Sequence, residues 1–362
     1  MGIRMRLPMG GPMGAPIGGQ IRVAAPNCYP IRALSLVNAL RVGSVESQTC
    51  LENSQELHQS WRRGGPRRQS AAAGTAAAVT ARDRQVLALL AEHFTFTTSQ
   101  VALLAGFSSV VTARHRLAAL YRRRVLERAR PFRAGGGSHE WHWMLGPAGA
   151  RIVAADRGVT PMRPAKIAAR WRKLFHGWRY AELAAQHAWF CGLIAAARGE
   201  HGAGGELAAW RSAWRVSRDW RATTDGYGRW LWPDGDTLRF VLLLDDPPRV
   251  GVRELRERIT SLPDPAWPFT GRAGFGDGVV TLIWCHTLAR EQLVRRAITT
   301  HLGGASGMPV GLACAAYADT SPAGRFGRVW IPLGALRREA AGRLTLAELA
   351  HTSMSVITGS RR

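Results

Sequence analysis

A mixed α/β chain in two folded units is what this sequence predicts, and three observations predict it. Its 362 residues suit two domains plus tails at roughly 100–200 residues per domain. Its hydrophobic fraction of 46% is that of a globular protein. Helix-period and strand-period apolar patterns then follow one another from Thr80 to the C-terminal region. No run of ~18–20 apolar residues occurs, so a membrane-spanning helix is excluded. No export signal is visible in the Gly/Pro-rich first twenty residues. The five cysteines are scattered with no CxxC pair, which points away from a zinc site or disulfide framework and toward a reduced, cytosolic protein.

Residues 1–79 read as a disordered, basic Gly/Pro/Ala-rich tail, with a short helix conceivable only at Ile31 to Val42. Thr80-Ala-Arg-Asp83 has capping-box form and leads Val86, Leu89, Leu90 and Phe94 on one helix face. A break is expected at Thr95-Phe96. A second capping box, Thr97-Thr-Ser-Gln100, opens a helix that ends at Gly106. Ser108 is expected to cap a third helix carrying Val111, Leu117 and Leu120. Val125 to Arg130, a glycine turn at 134–138 and Glu140 to Leu145 then read as strand, turn, strand. Three helices followed by a hairpin make residues 80–147 a winged helix-turn-helix.

Ala148 to Asp156 is a short helix within a helical linker at 148–176, of which 157–170 reads as linker. Residues 177–320 read as an α/β domain: a helix at Tyr180 to Arg198, strands at Leu207 to Val216 and Leu238 to Leu244, a helix at Val252 to Leu262, a strand at Val279 to Cys285, and a helix at Ala289 to His301. A further strand is expected at Val310 to Tyr317. Residues 321–362 contribute a C-terminal strand (Val329 to Leu333) and helix.

Charge points to a partner. The chain carries 49 Lys+Arg against 25 Asp+Glu, a net +24, and all but Lys166 and Lys173 of the cations are arginine. High-GC coding replaces Lys with Arg but does not create a net charge, so a polyanion is the expected partner. The excess is concentrated. Residues 108–133 hold Arg114, Arg116, Arg122, Arg123, Arg124, Arg128, Arg130 and Arg133 against Glu127 alone. In a helix-turn-helix the second helix of the motif enters the major groove with its N-terminal residues at base edges. Ser109, Thr112, Ala113, Arg114 and Arg116 occupy that part. Arg122, Arg123 and Arg124 suit phosphates, and Arg130 and Arg133 flank the wing turn. The bland alternative is a solvated charged face on a protein-interaction module. Trp141 and Trp143, and His187 on its helix, read as core residues.

The helix-strand-strand-strand-helix-strand order is that of the restriction-endonuclease-like fold, whose acids hold a divalent metal. Pro233-Asp234 supplies one acid. The strand Phe240 to Asp245 presents Leu243 where another acid is expected, followed by Asp245 and Asp246.

Thr80-Ala-Arg-Asp83, Thr98-Ser-Gln-Val101, Ala113-Arg-His-Arg-Leu117, Leu145-Gly-Pro-Ala-Gly-Ala150, His187, Trp210 and Pro233-Asp234-Gly235 together resemble the replication-relaxation family. The resemblance implies a winged-helix DNA-binding domain joined to a nuclease-like domain, with a role in replication or mobilisation of plasmids and other mobile elements. The family's acids fall here near Ala213 and at Leu243, which implies a binding-only domain. The expected partners are double-stranded DNA and replication or conjugation proteins, with no cofactor and no membrane. The alternatives are a nuclease using Mg²⁺ on Asp234, Asp245, Asp246 and Glu182, or a non-catalytic recruitment module. Absence of a P-loop motif and of a His-x-His site argues against an ATPase or a relaxase.

Overall fold

The computed structural model describes residues 78–130, 139–175, 179–199, 204–220, 222–245, 251–260, 279–302, 312–316, 325–333 and 342–359. The sequence reading of 1–77, the wing turn with Arg133, and Asp246 lie outside the described residues. The elements confirm a mixture of helices and sheets.

The first unit opens with α1 (Ala81–His93), β1 (Thr95–Thr97), α2 (Thr98–Leu104) and α3 (Val110–Arg122). Both expected capping boxes form. The Thr80 hydroxyl accepts from the Asp83 amide at 3.2 Å, and the Asp83 carboxylate accepts from the Thr80 amide at 2.8 Å. Thr97 and Gln100 repeat the exchange at 3.2 and 3.0 Å. These bonds satisfy amides that the first helical turn leaves without partners. Gly106, at φ +63°, lets the Phe107 amide reach back to the Ala102 carbonyl at 3.0 Å and stops α2. The cap of α3 is Ser109, not Ser108: its hydroxyl accepts from the Thr112 amide at 3.0 Å.

The expected break at Thr95-Phe96 is instead a strand. Phe96 pairs with Trp143 in a three-stranded sheet, β1-β3-β2, whose other members are β2 (Leu126–Ala129) and β3 (His142–Leu145). Three residues are too few to show a period of two, and the pairing partner lies some 45 residues on. Val86, Leu89, Leu90, Leu117, Leu120, Phe96 and Trp143 form the buried centre.

Next come α4 (Pro147–Asp156), α5 (Pro164–Phe175) and α6 (Arg179–Arg198). Gly149 lets α4 approach the Val125 carbonyl so closely that no Cβ would fit. Residues 164–175, within the segment read mostly as linker, are helical because Ile167 and Trp171 pack on Met144 of the sheet's outer face. That narrow stripe is hidden in sequence among cations.

The second unit is a six-stranded sheet in the order β4-β5-β6-β7-β8-β9: β4 (Glu206–Ser212), β5 (Gly226–Leu231), β6 (Thr237–Asp245), β7 (Val279–Cys285), β8 (Leu312–Ala316) and β9 (Ile331–Leu333). Strands β4 to β6 form an antiparallel meander, β6 to β8 run parallel, and β9 returns antiparallel. Between them lie α7 (Ala213–Trp220), α8 (Val252–Thr260) and α9 (Leu288–Leu302), and α10 (Leu346–Gly359) ends the described chain. The strand expected from Leu207 to Val216 ends at Ser212, whose hydroxyl accepts from the Arg215 amide at 3.3 Å and starts α7. Its continuing apolar spacing is carried by a helix, with Val216 buried.

Strand β6 shows why the sheet is covered twice. Leu238, Phe240 and Leu242 join a core with α6 and α10, while Val241 and Leu243 join another with α8 and α9. A strand buried on both faces reads as an unbroken apolar run, as Phe240 to Leu244 does. Cys285 and Cys314 meet on adjacent strands as buried thiols, Sγ to Sγ 3.4 Å.

The two units share one core. His93 of α1 packs on Trp210 of β4 at 4.0 Å between centroids, Phe96 on His187 of α6 at 4.4 Å, and Phe190 stacks on Trp210 at 4.6 Å. Glu92 accepts from the Ser212 amide and hydroxyl and from Arg215.

Candidate nucleic-acid interface

Helix α3 buries Ala113, Leu117 and Leu120, spaced four and three apart, and therefore presents its opposite face to water. At its N-terminal end that face carries Ser109, Val110, Val111, Thr112, Arg114 and His115, all exposed, with the two valines 45% and 54% accessible. Their methyls are the type of group that packs on a thymine methyl in the major groove. Ser109 and Thr112 also share a hydroxyl contact at 2.9 Å, which fixes both rotamers.

The structure turns Arg116 inward. Its guanidinium grips the Asp83 carboxylate, with Nε to Oδ1 at 2.9 Å, and its Nη2 also donates to Asp83 and to the Ala78 carbonyl. Burial opposes ionisation of Asp83, but the hydrogen bonds from Arg116 and Thr80 outweigh it and hold the carboxyl below its ordinary value. The sequence grouped Arg116 with base-reaching residues. It instead ties α3 to the start of α1, which sequence spacing cannot reveal.

Arg122 and Arg123 are exposed at the far end of α3, and Arg114 at its middle. Among the described residues none of the three has a carboxylate partner. Arg124 sits at φ +57°. Its amide reaches the Tyr121 carbonyl at 2.8 Å and the next amide, of Val125, reaches Leu120 at 3.0 Å. That is a helix stop of the kind glycine usually supplies. On the hairpin, Arg128 lies over the rings of Trp141 at 4.1 Å and Tyr121 at 4.6 Å. Arg130 is exposed and donates to the His139 carbonyl at 3.0 Å. Trp143 is fully buried and its indole N–H donates to Thr98, while Trp141 is half-buried under the arginines. Glu140 accepts from the amide and hydroxyl of Ser99, pinning the hairpin to the start of α2. Glu127, buried on β2, is pushed up to about 7 by burial, against the pull of Arg124.

The acids of the second unit fall elsewhere than expected. Pro233-Asp234-Gly235 is the turn of the β5–β6 hairpin: the Gly235 amide bonds the Trp232 carbonyl at 3.1 Å, and Asp234 accepts from the Asp236 amide at 3.0 Å. Pro, Asp and Gly stand in that order for turn chemistry. Asp245 ends β6, nine residues long, so it lies about 25 Å from Asp234 at ~3.3 Å per residue. The pair expected to share a metal cannot do so. The Asp245 side chain is wholly buried and bound by Arg290 at 2.6 and 2.8 Å. Glu182 is half-buried in the first turn of α6, one turn from Gln186.

Gln186 belongs to a cluster the sequence did not reveal. Asp225 stands one residue before β5, opposite the end of β6. It accepts from Gln186 at 3.1 Å, from the Leu244 amide at 2.7 Å and from Arg258 at 2.6 Å. Asp225 reads in sequence as loop, and only antiparallel pairing brings it beside Leu244. Each carboxylate at this corner thus has its own arginine. Among the described residues no group of three or more His, Cys, Asp or Glu is placed to hold a metal ion, and no helix is long and apolar enough to cross a membrane.

A small cation-faced helical unit fused through a common core to a two-sided mixed sheet is the class these features define. Residues 87–245, from within α1 to the end of β6, match the family model described as replication-relaxation, and over that span the chain resembles that family. No curated protein and no solved structure matches it.

Proposed function

We propose that the chain is a DNA-binding protein of the cytoplasm that acts in replication or mobilisation of a plasmid or other mobile element. In this reading residues 80–147 are a winged helix-turn-helix on double-stranded DNA. Helix α3 enters the major groove with Ser109, Val111, Thr112 and Arg114 toward base edges. Arg122 and Arg123 take phosphates, and the β2–β3 hairpin with Arg130 and Arg133 is the wing. Arg124, in the left-handed turn that ends α3, joins Arg122 and Arg123 on phosphates, and Arg116 acts as a positioning residue for that helix. The observation that carries the reading is the exposed α3 face, whose cations have no carboxylate partner among the described residues. The resemblance to the replication-relaxation family supports it and suggests partners in replication or conjugation.

The sheet unit, restriction-endonuclease-like in element order, is read as non-catalytic. Magnesium requires several hard oxygen ligands around one point. Asp225 and Asp245 are instead neutralised by Arg258 and Arg290, and Leu243 is buried hydrocarbon, so the residues present do not fit such an ion.

Duplex binding is tested by mobility shift with Arg122→Glu/Arg123→Glu. Affinity should fall for every sequence, and the salt slope should shrink by about two. Unchanged affinity and slope would refute the docking. A plasmid-nicking assay with Mg²⁺ tests the second unit, and cleavage abolished by Asp225→Ala would make it a nuclease.

A further inference from the structure

Among the described tryptophans only Trp214 is exposed, at 46%. It stands at the start of α7, facing the first unit. The Phe94 ring meets it edge-on at 6.2 Å. Three guanidinium groups surround its ring: Arg218 at 4.9 Å, Arg170 at 5.2 Å and Arg215 at 5.8 Å from the centroid. Arg170 also lies over Phe94 at 3.9 Å.

Phe94 adopts φ +71° and ψ −52°, a backbone region costly for a bulky L-residue. The strain sits where the chain leaves α1 and presents that ring. Arg215 is paired with Glu92, and Arg218 with Asp219. Arg170, half-buried, has no carboxylate partner among the described residues, and burial holds its pKa below the ordinary value.

Helix α5, which carries Arg170, contains no acid. Lys166, Arg170 and Lys173, at spacings of four and three, form one stripe that includes both lysines of the chain. Lys166 and Lys173 are exposed. The apolar face of Ile167 and Trp171 is turned instead to the sheet.

An exposed aromatic face beside an acid-free cationic stripe is the chemistry that holds single strands, whose unpaired bases offer a π-face that a duplex hides. An acidic peptide would pair with the cations but would gain nothing from the exposed part of the indole, which the guanidinium groups leave 46% accessible. We propose that Trp214, Phe94 and Arg170 form a stacking platform for an unpaired base of single-stranded DNA, with the α5 stripe meeting its phosphates. The platform is separate from the α3 face and stands whether or not α3 reads a duplex.

The test is fluorescence anisotropy on the full chain with labelled oligo-dT, an abasic oligonucleotide of equal length, and a duplex. Trp214→Ala should weaken oligo-dT binding about tenfold and leave duplex binding unchanged. Trp214→Phe should keep most of the affinity, and the abasic strand should bind weakly to every form. Equal binding of oligo-dT and abasic strand would reduce the patch to charge alone and overturn the proposal. So would unaltered oligo-dT affinity in Trp214→Ala, no oligo-dT binding by the native chain, or an equal loss on duplex. Arg122→Glu/Arg123→Glu, assayed alongside, should lose duplex but keep oligo-dT, which separates failure here from failure of the α3 reading.

Discussion

Arginine does opposite work in the two units. On α3, Arg114, Arg122 and Arg123 point into water with no carboxylate partner among the described residues. At the end of the large sheet, Arg258 and Arg290 are each locked to a carboxylate, and Arg343 holds the buried Glu291. The first group stays in water, where the proposed duplex would meet it. The second neutralises acids that the fold has taken out of water. Net charge counts both alike, so composition alone does not separate them.

The sharpest way to break this contrast is Arg290→Ala. It leaves the buried Asp245 side chain without its partner, and stability measured by urea unfolding should fall by about 3–5 kcal/mol. Asp245→Asn/Arg290→Met should recover much of the loss. If Arg290→Ala costs as little as a surface substitution, the pair is not structural.

Acid should strain the joint between the units next. His93 is held down at about 3, by burial first and then by Arg215, and His142 at about 4 by burial. Burial also holds His187 well below its ordinary value. Stability from such groups is fully present above the ordinary histidine value of 6.5 and is lost as pH falls toward the folded values. Glu127, raised to about 7, has the opposite sign: its contribution is present below 4.5 and is lost as pH rises through 7. Three histidines outnumber one glutamate, so Tm should drop by roughly 10 °C from pH 7 to pH 5. A higher Tm at pH 5 would mean that Glu127 dominates or that the imidazoles are not buried.

Arg124→Gly tests the left-handed turn that ends α3. Relief of the left-handed backbone should raise stability by about 0.5–1 kcal/mol in thermal unfolding. A loss would show that its side chain holds more than the turn. Arg122→Ala/Arg123→Ala should change stability by no more than about 0.5 kcal/mol while duplex affinity falls. A large stability loss would place these arginines in the structural group.

The local signals were legible. Both capping boxes, the apolar stripes of α1 and α3 and the doubly buried β6 each depend on residues within a few positions of one another, and the β2–β3 hairpin on two runs flanking a glycine-rich stretch of sequence. Local hydrogen bonding and period write such features directly into the chain. The resemblance to the replication-relaxation family was legible for the same reason, through short motifs. Strand β1, helix α5 and the switch from β4 to α7 were not, because each is stabilised by a partner distant in sequence.

The candidate site divides in the same way. The clustering of cations at 108–133 and the exposed half of α3 follow from composition and period alone. Tertiary structure alone decided that Arg116 belongs to Asp83, that Asp234 is a turn residue about 25 Å from Asp245, and that Asp225 meets Gln186 and Arg258. It also set Trp214 of one unit against Phe94 of the other. The physical reason is that the free energy of a charge or an aromatic ring depends on what faces it and how much water remains. Both are set by chain segments brought together from far apart in sequence.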